Sequence, residues 1–240
     1  MIESARLPPI YKLVPLGEDD DPSARAKEMA SEGVDPATIL CIDSTNLFDG
    51  AVILHPDMDF AKSRLAVYVG MLGLGDAIGS VVPAGIDITY RWPNKIDANL
   101  GFVGQVQLFA PPNIADTSVS PWLVLRATVA VSGAISDKHD GDTYQTTLVD
   151  EGAADLTTIQ LLESFSRHFL SWTNRWQDDG FSPIRSMWLR HSAEEGQDVE
   201  FATGTQHPRG VFESIDDEGA LLIRNADGVT RLTLDTFLHQ

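Results

Sequence analysis

Between positions 90 and 104 the chain reads Tyr, Arg, Trp, Pro, Asn, Lys, Ile, Asp, Ala, Asn, Leu, Gly, Phe, Val, Gly. Arg91 and Lys95 offer positive charge, Trp92 a broad indole face, and Asn94 and Asn99 amides that both donate and accept. Gly101 and Gly104 leave backbone that another group can approach closely. These types suit pairing with an anion beside a flat or apolar body. The stretch is costly as plain sheet, because Pro93 donates no ladder hydrogen bond and the glycines add nothing to packing. That cost suggests a site. The bland alternative is a strand ending at Trp92, a turn at Pro93 and Asn94, and a new strand from Leu100.

Other reactive residues fall into weaker patterns. Cys41 is the only cysteine, which rules out an internal disulfide or a multi-cysteine zinc site. It lies in an apolar run, 39–42, and reads as a small core residue. No two of the six histidines stand at metal-ligand spacing with a supporting acid, so no metal is expected. Gly70, Gly73 and Gly75 sit inside a helical pattern and lack the strand-to-helix order of a dinucleotide loop. Packing explains them better. The acidic run 18–21 reads as a solvated cluster at a helix start.

The elements around the motif follow from periodicity. Residues 21–32 predict a helix, with Asp21 as cap, Pro22 at the first position and Gly33 as stop. Strands are expected over 37–42 and 51–55, with 44–50 connecting them, then a glycine-bearing helix over 59–80 that could lie close to a sheet. Three more strands, 86–92, 100–109 and 122–131, should complete that sheet. Loops are expected over 110–121 and 132–143. Residues 155–176 predict the strongest helix: Thr157 and Gln160 form a capping box, an aromatic and leucine stripe follows, and Gly180 ends it. A shorter helix is expected over 183–191. Beyond residue 195 the pattern changes to short strands over 199–203, 210–215, 220–224 and 230–234 with tight turns between them. The fold class is therefore α+β, a mixed sheet with helices over 1–194, followed by a small β-barrel over 195–240.

The 240 residues carry a formal net charge of -18, which repels a phosphate backbone and argues against nucleic-acid binding. No apolar run approaches a membrane span, and the first ten residues lack the cationic start and apolar core of a signal peptide. The chain reads as cytoplasmic, with no membrane partner.

Arg91, Trp92, Pro93, Asn94 and the downstream Leu100, Gly101 resemble the Lys-Trp-Pro-Asn-Asp and Lys-Leu-Gly-Gly motifs of biotin protein ligases, within the biotin and lipoate ligase superfamily. The element order is similar along nearly the whole chain, and residues 210–222 resemble the SH3-like C-terminal domain of the bacterial enzymes. The resemblance implies a class II synthetase-like catalytic fold, ATP with biotin or lipoate as ligands, and a biotinyl or lipoyl carrier domain as acceptor. It leaves no room for the DNA-binding module that some relatives carry. It also implies a pocket floored by residues 91–99 and the strand from Leu100, holding a small carboxylic acid, an acyl group or an adenylate. There Arg91 and Lys95 would pair with the anion, Trp92 would form a wall, Asn94 and Asn99 would orient, and Gly101 and Gly104 would allow close approach.

The departures concern charge. Where the family places a Gly- and Arg-rich loop after the strand 37–42, residues 43–50 hold one glycine, no arginine and two carboxylates. Asn99 stands where the family has its lysine, and Lys95 where it has an acid. The missing loop and the missing lysine are the groups that would steady an acid and a triphosphate during activation, which argues against full ATP-dependent ligase activity. The alternative is a non-catalytic protein-interaction module that keeps the fold. An acyltransferase using a preformed acyl carrier is a third option, weakened by the local context of Cys41.

Overall fold

The structure is a computed structural model that describes residues 2–133, 144–201 and 207–234. Its central sheet begins with a crossover: β1 (Lys12–Leu16), α1 (Pro22–Ser31) and β2 (Thr38–Ile42), with β1 and β2 parallel. Asp21 caps α1, accepting from the amides of Ser23 at 2.8 Å and Ala24 at 3.2 Å, and Pro22 opens the helix as expected. β1 was absent from the sequence expectation. It is five residues long with Pro15 inside it, and it is tolerated because β1 lies at the sheet edge.

β3 (Leu47–Leu54) runs antiparallel to β2 and starts earlier than expected, because residues 47–50 pair with β7 (Leu123–Ala130). Only residues 43–46 remain as the connection. β6 (Gly101–Phe109), β5 (Lys95–Ala98) and β4 (Ile88–Arg91) complete seven strands in the order β1-β2-β3-β7-β6-β5-β4. β5 falls between the turn expected at Pro93 and Asn94 and the strand expected from Leu100.

One face of this sheet is covered by α3 (Ala66–Val81), preceded by the short α2 (Phe60–Ser63), and by α4 (Thr158–Asp179). Glycine makes this layer thin. A Cβ on Gly70 would sit 2.7 Å from Leu125 of β7, and one on Gly73 would sit 2.9 Å from the Phe169 backbone of α4. The segment Phe60–Val81 is long and apolar enough to cross a membrane by length and composition, which corrects the expectation that no run approaches that limit. In this fold 78% of its most apolar window is buried, as a core helix between sheet and α4. The opposite face is covered only in part, by α1 packing on Leu40, Ala51, Ile53 and Val124.

α4 has the expected reciprocal capping box between Thr157 and Gln160, and Gly180 ends it. α5 (Phe181–Arg190) follows at once and buries Trp188 beneath Tyr68 and Tyr90. The C-terminal strands β8 (Asp198–Glu200), β9 (Arg209–Ile215), β10 (Leu221–Asn225) and β11 (Gly228–Leu232) form an open antiparallel sheet in the order β11-β10-β9-β8. Among the described residues this sheet does not close into the expected barrel, since β11 and β8 do not pair. The expected strand 199–203 ends outside the described residues, as does most of the loop 132–143.

Candidate active-site face

The half-covered side of the sheet carries a row of polar side chains. Arg91, Lys95, Gln105, Thr128 and Asp49 are successive register partners across β4, β5, β6, β7 and β3, and so share one face. Gln107 and Arg126 form the next pair along β6 and β7. Alternation puts Val106, Leu125 and Val129 into the helix-covered core and leaves Gln105, Gln107, Arg126 and Thr128 half-buried on the other side.

Two cations of this face are matched by carboxylates. Arg91 grips Asp97 with Nε at 2.5 Å and Nη2 at 2.9 Å, and the Asp97 side chain is only 3% exposed. Arg126 grips Asp49 in the same bidentate way, at 2.8 and 2.7 Å, with Asp21 of the α1 cap 3.5 Å away. The hydrogen bond that Arg126 donates to Asp49 holds its guanidinium above its ordinary range. Lys95 lies 5.8 Å from the centre of the Phe102 ring, and Arg91 lies 5.9 Å from it. Among the described residues Arg91 is thus bound to Asp97 and Arg126 to Asp49 with Asp21 close by, while Lys95 stands over the Phe102 ring.

A further carboxyl reaches this corner from the far end of α5. Glu194 accepts a hydrogen bond from the Trp92 amide at 3.2 Å. Burial pushes its pKa up to about 7, against the opposing pull of that bond and of Arg91.

The other sequence-derived residues hold the motif in shape. The Trp92–Pro93 peptide is cis. Trp92 turns away from the face: it is 2% exposed, its indole N–H donates to the Tyr68 hydroxyl at 2.8 Å, and its ring meets Phe201 edge-on at 5.2 Å. Asn94 uses its backbone carbonyl to accept from Val106 at 3.0 Å. Asn99 and Leu100 make the two-residue turn between β5 and β6, with φ of 48° and 71°, the left-handed pair that such a hairpin requires. The Asn99 amide accepts from the Asp87 N–H at 3.0 Å and donates to Glu151 at 2.8 Å. A Cβ on Gly101 would strike Thr146 at 2.6 Å, and one on Gly104 the Thr128 carbonyl at 2.2 Å, so both glycines admit neighbouring chain. The structure thus brings Arg91 and Lys95 together on the open face and uses Trp92, Asn99, Gly101 and Gly104 as framework.

The family model described as "Biotin/lipoate A/B protein ligase family" matches residues 7–190. The chain belongs to this family. A biotin--[acetyl-CoA-carboxylase] ligase of Paracoccus denitrificans is 28% identical over 184 residues, 75% of each chain. Among solved structures, a biotin protein ligase-like protein of unknown function from Silicibacter sp. superposes with a TM-score of 0.89 at 24% identity, covering 99% of this chain and 100% of that one. The biotin protein ligase from Aquifex aeolicus, solved in complex with biotin and ATP, superposes with a TM-score of 0.73 at 14% identity, covering 92% and 95%. At these identities the structural likeness shows the fold alone.

Within this biotin/lipoate ligase family member, the place for a phosphate loop is filled differently. Residues 43–46 are tied down: Asp43 accepts from the Ile2 amide at 3.0 Å, the Ser44 carbonyl accepts from Thr158 at 2.5 Å, and the Asn46 carbonyl accepts from the amides of Val131 and Ser132. The segment offers no arginine, and the nearby arginines are already bound to carboxylates. A nucleotide triphosphate needs several positive partners, so these residues do not fit it.

Sequence reasoning missed Glu194, Asp97, Phe102, Gln105, Thr128 and the Arg126–Asp49 pair. A signal existed for some of them. Phe102, Gln105 and Gln107, and Arg126 and Thr128, interrupt two apolar runs, the mark of a strand with one half-exposed face. Nothing local marks Glu194, which arrives from a distant segment.

Proposed function

We propose that the protein is a ligase-fold binder of a small carboxylic acid or its acyl derivative, without ATP-dependent acid activation. The observation that carries this reading is the polar row across β4, β5, β6 and β7, in which two of the three cations are already bound to carboxylates. Lys95, Gln105 and Thr128 supply donors for one carboxylate or carbonyl beside the Phe102 ring, while Arg91 and Arg126 are held by Asp97 and Asp49. One ammonium and two neutral donors match a single small anion, and a triphosphate beside it would stay uncompensated. The relatives, a biotin--[acetyl-CoA-carboxylase] ligase and a biotin protein ligase solved with biotin and ATP among them, make biotin-like acids the first ligands to try and a biotinyl or lipoyl carrier domain the partner to try. A boundary near residue 195, an SH3-like C-terminal unit and a cytoplasmic location belong to the same proposal.

The test has two arms. Incubation with ATP and biotin, lipoate or octanoate should release no pyrophosphate above background. Calorimetry with the acids and with biotinyl-adenylate should find saturable binding that weakens about tenfold in Lys95→Ala, the size expected for one charge-assisted contact. Pyrophosphate release, or no binding by any of them, overturns the reading.

A second reading, a protein-interaction module, is favoured by one observation: Leu100, 73% exposed, and Tyr144, 62% exposed, flank the start of β6 beside this face. It gains ground if every small ligand fails.

A further inference from the structure

On the helix-covered side, at the β4 edge, lies a second hollow of about 440 Å³, floored by Tyr90 and Gly75 and rimmed by Asp76, Asp87, His168 and His191. Tyr90 is 2% exposed, yet among the described residues its hydroxyl has no hydrogen-bond partner. The ring is buried but the hydroxyl opens into the hollow, so its hydrogen-bond partner has to come from whatever enters there. Its seat is specific. A Cβ on Gly75 would fall 2.0 Å from the hydroxyl, so only the missing side chain at that turn of α3 lets the phenol reach the hollow. Tyr90 is fixed there by stacking on Trp188, with centroids 6.0 Å apart, and by contact with His191 at 5.8 Å.

The rim is acidic. Asp76 accepts from the Trp172 indole at 2.7 Å and keeps its other oxygen, while Asp87 is held through its backbone by Asn99. His168 uses Nδ1 on the Ser164 carbonyl at 2.9 Å, which turns Nε2 outward. Neither lysine nor arginine lines the hollow, and the chain's net charge of -18 raises the local concentration of cations. A metal ion is the wrong cation: among the described residues no three His, Cys, Asp or Glu side chains are arranged to hold one. Acceptors spread around a hollow with Ile86 and Ile88 on its wall instead suit N–H donors carried on a short apolar stem.

We propose that this hollow binds a small organic ammonium ion, with a diamine such as 1,4-diaminobutane as its representative. One amine donates to Tyr90 Oη and Asp76, the methylene stem lies on Ile86 and Ile88, and the second amine meets Asp87. The site is independent of the acyl-binding face, since Tyr90 and Arg91 point to opposite sides of β4.

Titrating the full chain with 1,4-diaminobutane at low ionic strength should give saturable one-site heats and move the ring signals of His168 and His191 with the same midpoint. Asp87→Asn, at an exposed side chain, should weaken binding about tenfold, and Tyr90→Phe severalfold. Butanol should give no response. An absence of saturation overturns the proposal. So do variants that titrate like the parent, unmoved histidine signals, or an equal response to magnesium chloride, which would mean general screening of an acidic surface.

Discussion

Glu194 sits among Arg91, Lys95 and Asp97 while accepting the Trp92 amide, so its protonation is felt by the whole corner of the proposed acyl site. Burial raises its folded pKa to about 7, whereas an unfolded glutamate titrates near 4.3, about the usual value. Between these values the folded chain holds a proton that the unfolded chain gives up, which favours folding. That contribution is complete below about pH 4.3 and is lost as the pH climbs through about 7. Urea unfolding should therefore show parent stability falling across this window, and Glu194→Gln should remove roughly 1–3 kcal/mol of the fall. A variant that keeps the whole slope would assign it to other groups. The nearness of Arg91 and Lys95 was legible in the sequence, because only three residues separate them across one turn. The grip of Arg91 on Asp97 was not, since it depends on β4 and β5 pairing in one register.

At the scale of elements, legibility followed local signal strength. α4 declared itself through Thr157, Gln160 and its aromatic stripe, and α1 through Asp21, Pro22 and Gly33. β1 and β5 did not: one is short and contains a proline, and the other has four residues whose pairing comes from β4 and β6. The glycines of α3 were legible as packing devices, but their partners were not, and the partners decide what a substitution does. Gly73→Ala gains about 1 kcal/mol of helix propensity and forces a methyl to within 2.9 Å of the Phe169 backbone, so overpacking should dominate and cost about 1–3 kcal/mol net. Gly79→Ala meets nothing within 4 Å and should instead stabilise by about 0.5–1 kcal/mol. Thermal unfolding of the pair decides it: a stabilised Gly73→Ala would mean that α4 can retreat, and the thin helix layer would then not be fixed by that contact.

Across the whole molecule, two sheets far apart in sequence meet through one buried relay. The Trp92 indole N–H donates to the Tyr68 hydroxyl, and Tyr68 donates at 2.6 Å to the Gly219 carbonyl in the turn before β10. The relay joins the conspicuous motif, the core helix and the C-terminal sheet, which gives Trp92 a reason to face inward. Burial raises the Tyr68 pKa far above its ordinary value, so the hydroxyl stays protonated and keeps donating. Tyr68→Phe removes the acceptor of the indole N–H and the donor to the Gly219 carbonyl from a dry interior, a loss of about 2–4 kcal/mol. The loss should be unevenly distributed. Among the described residues β9, β10 and β11 meet the rest of the molecule through apolar side chains such as Phe212 and Ile215 in the shared core and through the exposed Arg185–Asp217 pair, but pair with no strand of the main sheet, whereas β3 and β7 lie between strands on both sides. Hydrogen exchange of the variant should therefore accelerate most at the amides of β9 and β10, with β3 and β7 changing less. Uniform acceleration across both sheets would show that they open as one unit, and that the relay stabilises the molecule without coupling its parts.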